Sequence, residues 1–215
     1  AAFRNCFVPQ CFVEDAIRLR CESLSNIRVH YDATLVALEN VDGDVVGVLF
    51  DDLHARSRSF CADAVFACDG ASSSVRRFLR IAFDGVTKRR WCVNDFRCAG
   101  VDALVRDMVW SINSERPGMF VSLYRGHFRL EFCVADDESD DKFAADKRVA
   151  LDAAAHFLPH NVMQLVRDRG QLLRSSCYRM HSRMATTFQR GRVFLLGDAA
   201  HVTEPFTGQG VSNGF

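Results

Sequence analysis

An acidic residue at the end of a short apolar run, followed by a glycine-rich segment, can build one wall of an anion-binding site. Residues 191–215 read GRVFLLGDAAHVTEPFTGQGVSNGF. Val193, Phe194, Leu195 and Leu196 form a wholly apolar run bounded by glycines, the pattern of a strand buried on both faces in a parallel sheet. Gly197 ends the run and Asp198 follows at its carboxyl end, the edge where open α/β sheets seat their ligands. Ala199 and Ala200 are small enough for a ligand to approach the backbone. Beyond Pro205, Gly208 and Gly210 permit conformations that other residues resist. A helix starting near Gly208 would aim unpaired N–H groups and the positive end of its dipole at an anion.

A second run has the same design. Val65 to Cys68 is apolar, Asp69-Gly70 makes a turn, and Ala71-Ser72-Ser73-Ser74-Val75-Arg76 leads into a predicted helix. Serines suit the helix cap, and Arg76 carries a planar donor fork suited to phosphate. Taken singly, an Asp after a strand or an Asp-Gly before serines is most often an ordinary turn.

Taken together, in this order and with a domain-sized segment between them, the two runs resemble the FAD-dependent aromatic hydroxylases, the para-hydroxybenzoate hydroxylase-like flavoprotein monooxygenases. GDAAH followed by P-F-T-G-Q-G is similar to the second FAD motif of that family, and D-G-x-x-S-x-x-R to its DG motif. The resemblance implies that Gly197 and Asp198 bind the ribityl or ribose part of FAD. It implies that Gly208, Gln209, Gly210 and Val211 lie against the flavin ring, and that Asp69, Gly70 and Arg76 lie near the pyrophosphate. Gln10, after Val8-Pro9, matches a family glutamine that contacts FAD. Pro205 falls where the family sets a backbone carbonyl beside the reacting flavin, as the catalytic position. Glu204 stands where many members carry proline, so it either bears on substrate preference or points to solvent. Arg116-Pro117 with Val121-Ser122, and the stretch 136–143, are closest to 3-(3-hydroxyphenyl)propionate hydroxylase-like members.

The elements needed to position these residues can be read in outline. Cys11 to Ser23 suggests a helix with a partly apolar face of Phe12, Ile17, Leu19 and, just beyond, Leu24; Ile27 to His30 reads as a strand. Two alternating runs from Thr34 to Phe50 flank Asp42-Gly43-Asp44, a hairpin turn, and Arg58 to Cys61 adds a strand. Trp91–Cys98, Met108–Ile112, Met119–Tyr124 and Phe128–Val134 read as strands, with Arg125-Gly126-His127 a tight turn between the last two. Residues 136–169 are charged and helical in pattern, starting from an acidic run expected to be a solvated loop with a helix start. Leu172 to Thr187 alternates as a long strand. Lys88-Arg89-Arg90 reads as a solvated turn. The expected fold class is α/β in a mixed α+β arrangement. A partial FAD-binding Rossmann-like domain takes residues 1–80 and 191–215, and an antiparallel substrate-binding sheet with helices takes 81–190. Tyr124, His127, Arg129, Tyr178 and His181 are the polar groups on strands of that sheet. Strand alternation sends about half of such positions to the outer face.

Composition narrows the partners. The chain has 215 residues, with Lys+Arg and Asp+Glu equal at 27 each, so net charge argues for neither nucleic acid nor an anionic membrane. No apolar run approaches the ~20 residues of a membrane span. Nine cysteines without a C-x-x-C pair read as reduced, mostly buried thiols of a cytoplasmic protein, with Cys68, Cys98 and Cys133 in apolar runs. His156 and His160 have metal-like spacing, but Pro159 interrupts the helix that spacing requires, and no metal is expected. Homo-oligomerisation stays open.

The strand–GxGxxG–helix unit that binds the ADP half of FAD in the family is absent. The chain therefore reads as an internal piece of a longer enzyme, and residues 1–215 alone are expected to hold FAD weakly or not at all. The whole enzyme, as the resemblance implies it, takes FAD, NAD(P)H, O2 and a small phenolic substrate, and hydroxylates that substrate through a flavin hydroperoxide. Two other readings stay open: a same-fold FAD enzyme with another reaction (epoxidase, halogenase or reductase), and a non-catalytic fragment that binds no flavin.

Overall fold

A computed structural model describes residues 10–41, 44–51, 54–105, 108–123, 125–139 and 141–204. The elements in order are α1 (Gln10–Glu22), β1 (Ala33–Val41), β2 (Asp44–Asp51), β3 (Arg56–Ala62), β4 (Val65–Ala67), α2 (Ser74–Phe78), β5 (Phe83–Arg97), α3 (Val101–Leu104), β6 (Val109–Ser111), β7 (Gly118–Ser122), β8 (His127–Val134), α4 (Asp141–Ala145), α5 (Lys147–Ala153), α6 (His160–Arg169), β9 (Gln171–Ala185), β10 (Gln189–Arg190), β11 (Val193–Leu195) and β12 (His201–Val202). Gly197–Ala199 forms a single 3-10 turn between β11 and β12. The mixed α/β class matches the expectation.

The chain divides into two compact units, residues 18–88 with 180–215, and residues 1–17 with 89–179. The long strands β5 and β9, and α1, each run through both.

In the first unit, β1, β2 and β3 form an antiparallel meander, and β4 pairs in parallel with β11, which also pairs antiparallel with β10. Leu38, Val45, Ala67, Val75, Leu79, Ile81, Val193, Leu195 and Ala199 share its core. Gly85 of β5 passes so near β9 that a Cβ there would stand 2.1 Å from the Ser182 carbonyl oxygen. Its φ of +143° is also one that side chains rarely adopt.

In the second unit, β5 pairs antiparallel with β8, β8 with β7 and β7 with β6, while β9 lies on the other side of β5. Strand alternation sends Cys92 and Phe96 of β5, Phe120 of β7, and Phe128, Leu130 and Phe132 of β8 to one face. Phe143, Leu151, Val162 and Val166 of α4, α5 and α6 cover them. Phe96 and Phe128 stack with centroids 5.0 Å apart. Arg125 and Gly126 both take positive φ, 55° and 76°, giving the tight turn between β7 and β8 the hand that suits a hairpin.

Three expectations change. Ile27–His30 is not a strand: no described segment pairs with it, and Ile27 and Val29 stay exposed. Lys88-Arg89-Arg90 lies inside β5, which begins eight residues before Trp91 (91 − 83). The charges did not mark a turn, because this half of the strand faces solvent. In α1, no residue is buried, and Phe12, Ile17 and Leu19 are exposed.

The acidic run is held more firmly than a solvated loop. Glu138 receives a two-point bond from Arg116 (2.9 and 3.0 Å), one from Lys142 Nζ (2.9 Å) and one from the Ala135 N–H (3.0 Å). Burial alone would raise its pKa, but these donors outweigh burial and hold it down at about 2. A folded-state value below the unfolded one stabilises above the ordinary 4.5, and that stability is lost as pH falls through about 2. We expect Glu138→Gln to lose about 2 kcal/mol near neutral pH, allowing for solvent screening, and only a small fraction of that near pH 2. Urea melts of both proteins at the two pH values measure this.

Candidate cofactor site

The two motif strands are direct neighbours. Val65 pairs with Val193, Phe66 with Phe194 and Ala67 with Leu195, all in parallel register. The pairing runs one step further, where the Leu196 N–H donates to the Ala67 carbonyl at 2.9 Å. Parallel pairing brings both carboxyl ends to one edge, so the Asp69-Gly70 and Gly197-Asp198 turns emerge side by side.

Each turn is shaped by its own residues. Asp69 Oδ2 accepts from the N–H groups of Ser74 (2.7 Å) and Val75 (3.1 Å). Ser73 Oγ, fully buried, accepts from the Arg76 N–H at 2.9 Å. The first-turn donors of α2 are therefore satisfied within the motif. Gly70 and Gly197 have φ of +78° and +53°, and a Cβ on either would meet nothing within 4 Å. The turns thus present bare backbone to open space on the same edge.

Arg76 ties the turns together. Its guanidinium donates from Nη1 to the Ala199 carbonyl (2.8 Å) and from Nη2 to the Ala71 carbonyl (2.7 Å). It also lies 3.7 Å from the centroid of the Phe83 ring. Burial lowers its pKa, with Asp69 opposing that shift, and the side chain stays charged because arginine does not deprotonate in proteins. The sequence suggests a fork for phosphate. In the structure Arg76 is 7% exposed, and two of its donors hold carbonyls of the two turns.

Asp198 is exposed, and its carboxylate accepts no hydrogen bond among the described residues. Ala199 and Ala200, next in the chain, are buried. Gln10 is exposed on α1, its amide donating to Glu14 at 2.5 Å. Pro205, Gly208, Gln209, Gly210 and Val211 lie outside the described residues, as does Tyr124. Glu204 forms an ion pair with Lys88 at 3.2 Å. His181 is matched with Thr87, its Nδ1 3.1 Å from the hydroxyl. Cys68, expected buried, is exposed, while Cys98 and Cys133 are buried. Strand β4 ends at Ala67, so Cys68 already belongs to the turn.

The serine cap expected from the sequence is Ser73, but sequence reasoning missed the parts that join the turns: the Ala199 carbonyl and the Phe83 ring. A strand residue 7 positions beyond Arg76 (83 − 76) gives no local sign that its ring will lie under a guanidinium.

Adjacent parallel strands with acidic, glycine-containing turns at one carboxyl edge define half of a nucleotide-cofactor site in an α/β domain. Residues 2–214 match the FAD binding domain family, and the chain belongs to it. FAD is the cofactor of that family, and the open backbone at Gly70 and Gly197 beside an unengaged Asp198 suits such a group.

Among similar proteins is the 3-(3-hydroxy-phenyl)propionate/3-hydroxycinnamic acid hydroxylase of Mycolicibacterium smegmatis, 32% identical over 219 aligned positions, covering 98% of this chain and 36% of that protein. The enzyme of the same name from Mycobacterium avium is 36% identical over 157 positions, 70% of this chain and 24% of its own. The p-nitrophenol 4-monooxygenase of Pseudomonas putida superposes with a TM-score of 0.79 at 26% identity, over 96% of this chain and 51% of its own. The flavin-dependent monooxygenase PieE, solved with FAD and substrate, shares the fold with a TM-score of 0.80 at 21% identity, over 95% of this chain and 36% of its own. The chain spans about a third of the length of the first of these curated relatives. No helix among the described residues is long and apolar enough to cross a membrane.

Proposed function

We propose that this chain belongs to a cytoplasmic FAD- and NAD(P)H-dependent monooxygenase that hydroxylates a small phenolic acid. The observation that supports this most is the edge formed by β4 and β11. Two turns with left-handed glycines and an unengaged carboxylate meet there, in a chain whose relatives are named as hydroxylases of hydroxyphenyl acids. The bound cofactor supplies electron transfer and oxygen activation. In this reading Asp198 accepts hydrogen bonds from cofactor hydroxyls, and the bare backbone at Gly70 and Gly197 lets the cofactor approach. Asp69 and Arg76 keep the turns in shape for it. Pro205, Gly208, Gln209, Gly210 and Val211 complete the wall on the ring side, and Gln10 adds a contact from α1. Residues 1–80 with 191–215 form the cofactor domain, and 81–190 form the substrate sheet.

The test uses the protein expressed from its complete gene. A yellow protein whose NAD(P)H oxidation is stimulated by 3-(3-hydroxyphenyl)propionate is expected. A colourless protein after incubation with FAD would overturn the proposal. A yellow protein that no phenol stimulates would favour another reaction on the same fold. In the same protein Asp198→Ala should weaken FAD binding at least tenfold, about 1.4 kcal/mol, as expected for lost hydrogen bonds to a charged acceptor. Fluorescence titration of the apoprotein reads this directly.

A further inference from the structure

The stretch that leads into Pro205 is fastened to a stiff frame. β5 and β9 approach so closely at Gly85 that a Cβ there would strike the Ser182 carbonyl oxygen. Arg183 of β9 adds a side-chain link, donating from Nη2 to Thr87 Oγ1 of β5 at 2.9 Å. Onto these two strands the chain returns as β12, with His201 beside Met184 and Val202 beside Arg183. Just ahead of that pairing the Ala185 N–H donates to the Ala200 carbonyl at 2.7 Å. β12 is only two residues long, so its backbone ladder stops at Val202.

Glu204 supplies the next anchor. Its carboxylate lies 3.2 Å from Lys88 Nζ of β5. Backbone thus holds the chain to β9 at Val202, and charge holds it to β5 at Glu204. The partners are 116 positions apart (204 − 88), so the pair is a tertiary link rather than a contact within one element. Side-chain exposures of 49% and 38% keep water close, and an exposed pair contributes up to about 1 kcal/mol. That is too little to decide whether the protein folds. It is enough to shift the preference of a short segment about fivefold.

The place of the pair gives it its effect. Pro205 has its own φ fixed near −65° by its ring and confines the residue before it to extended backbone. With the backbone of Glu204 narrowed in this way, a grip on its side chain fixes the direction in which the chain enters Pro205. We propose that Glu204 is a positioning residue, whose ion pair with Lys88 aims the Pro205 segment at the ring side of the cofactor. The pair itself carries no proton or electron. The aim at the cofactor rests on the hydroxylase reading above, and the tether does not.

The experiment uses the protein expressed from its complete gene and reads the two parts separately. In the apoprotein, hydrogen exchange followed by mass spectrometry should show the amides of Thr203 and Glu204 exchanging about fivefold faster in Lys88→Met. About 1 M salt should have the same effect on the wild type and none on the variant, since screening at that strength removes an exposed pair. The swapped protein, Lys88→Glu with Glu204→Lys, should return to the wild-type rate. In the holoenzyme with 3-(3-hydroxyphenyl)propionate, Lys88→Met should keep FAD and KM but lower kcat about fivefold, and the swap should restore it. Glu204→Pro replaces the tether by a stiff backbone, so adding Lys88→Met to it should lower kcat no further. Exchange that neither Lys88→Met nor salt changes, or a loss that the swap does not restore, overturns the tether. Should Lys88→Met not fold, the salt series on the wild type still decides. Faster exchange with wild-type kcat overturns the positioning role and leaves the hydroxylase reading intact. A holoenzyme that no phenol stimulates overturns that reading, while the exchange rates still judge the tether.

Discussion

Replacing Arg76 by methionine in the protein expressed from its complete gene should destabilise the fold by about 4 kcal/mol and abolish FAD retention at micromolar concentrations. The guanidinium makes two buried hydrogen bonds, to Ala71 and Ala199, and hydrogen bonds from a charged donor contribute about 1.5–3 kcal/mol each. Methionine fills much of the volume and can still lie on Phe83, so the loss isolates the donors and leaves two carbonyls without partners. Such a loss is a large part of the total stability of an ordinary domain, about 5–15 kcal/mol. Lysine should recover about half, because an ammonium can reach one carbonyl and lacks the fork that spans both. Denaturant melts read the stability. Fluorescence titration with FAD, under conditions where the variant is folded, reads the shape of the turns. A folded Arg76→Met protein with wild-type FAD affinity would show that the two turns hold their geometry without the clamp.

Gly85→Ala should cost a similar amount, about 2–6 kcal/mol, through a different mechanism. The added methyl would sit 2.1 Å from the Ser182 carbonyl oxygen and 2.7 Å from the Arg183 Cα. Both obstacles are backbone, so no side-chain rotation relieves them. Overpacking a well-packed site costs about 1–3 kcal/mol, and a residue other than glycine at φ +143° adds about 1–3 kcal/mol of strain. Gly70→Ala is the matched comparison. It has a positive φ of 78° but nothing within 4 Å, so it should show the strain alone. A thermal melt of both variants separates the two contributions. Equal losses would mean that β5 and β9 part easily at Gly85.

What could be read in advance depended on how local each signal was. The runs at Val65 and Val193 are strands with turns because a few consecutive residues decide that, and their order in the chain carried the family resemblance. The hairpin β1–β2, the turn at Arg125-Gly126 and the alternation of β8 were legible for the same reason. The start of β5 was not. A run such as Lys88-Arg89-Arg90 fits a turn or a solvent-facing strand equally well, and only pairing across the sheet decides. Ile27–Val29 failed the other way, since a β-rich composition forms no strand without a neighbour to bond. At the site, Asp198 and the glycines were legible because strand-end chemistry is local. The inward turn of Arg76 was not, because its carbonyl partner at Ala199 is distant in sequence.

The parallel pairing of β4 with β11 also bears on how the protein comes to be folded. Arg76 and Ala199 are 123 positions apart, and everything between them must be looped out before they meet. Closing a flexible loop of that length carries an entropic cost growing to about 4 kcal/mol, before any contact at the site repays it. Contacts of such long range form slowly. The cofactor edge is therefore expected to be the last part of the sheet to assemble. A ligand that binds only the assembled edge then adds its binding free energy to the folded state alone, so during biosynthesis the supply of cofactor would govern how much of the chain escapes aggregation and proteolysis.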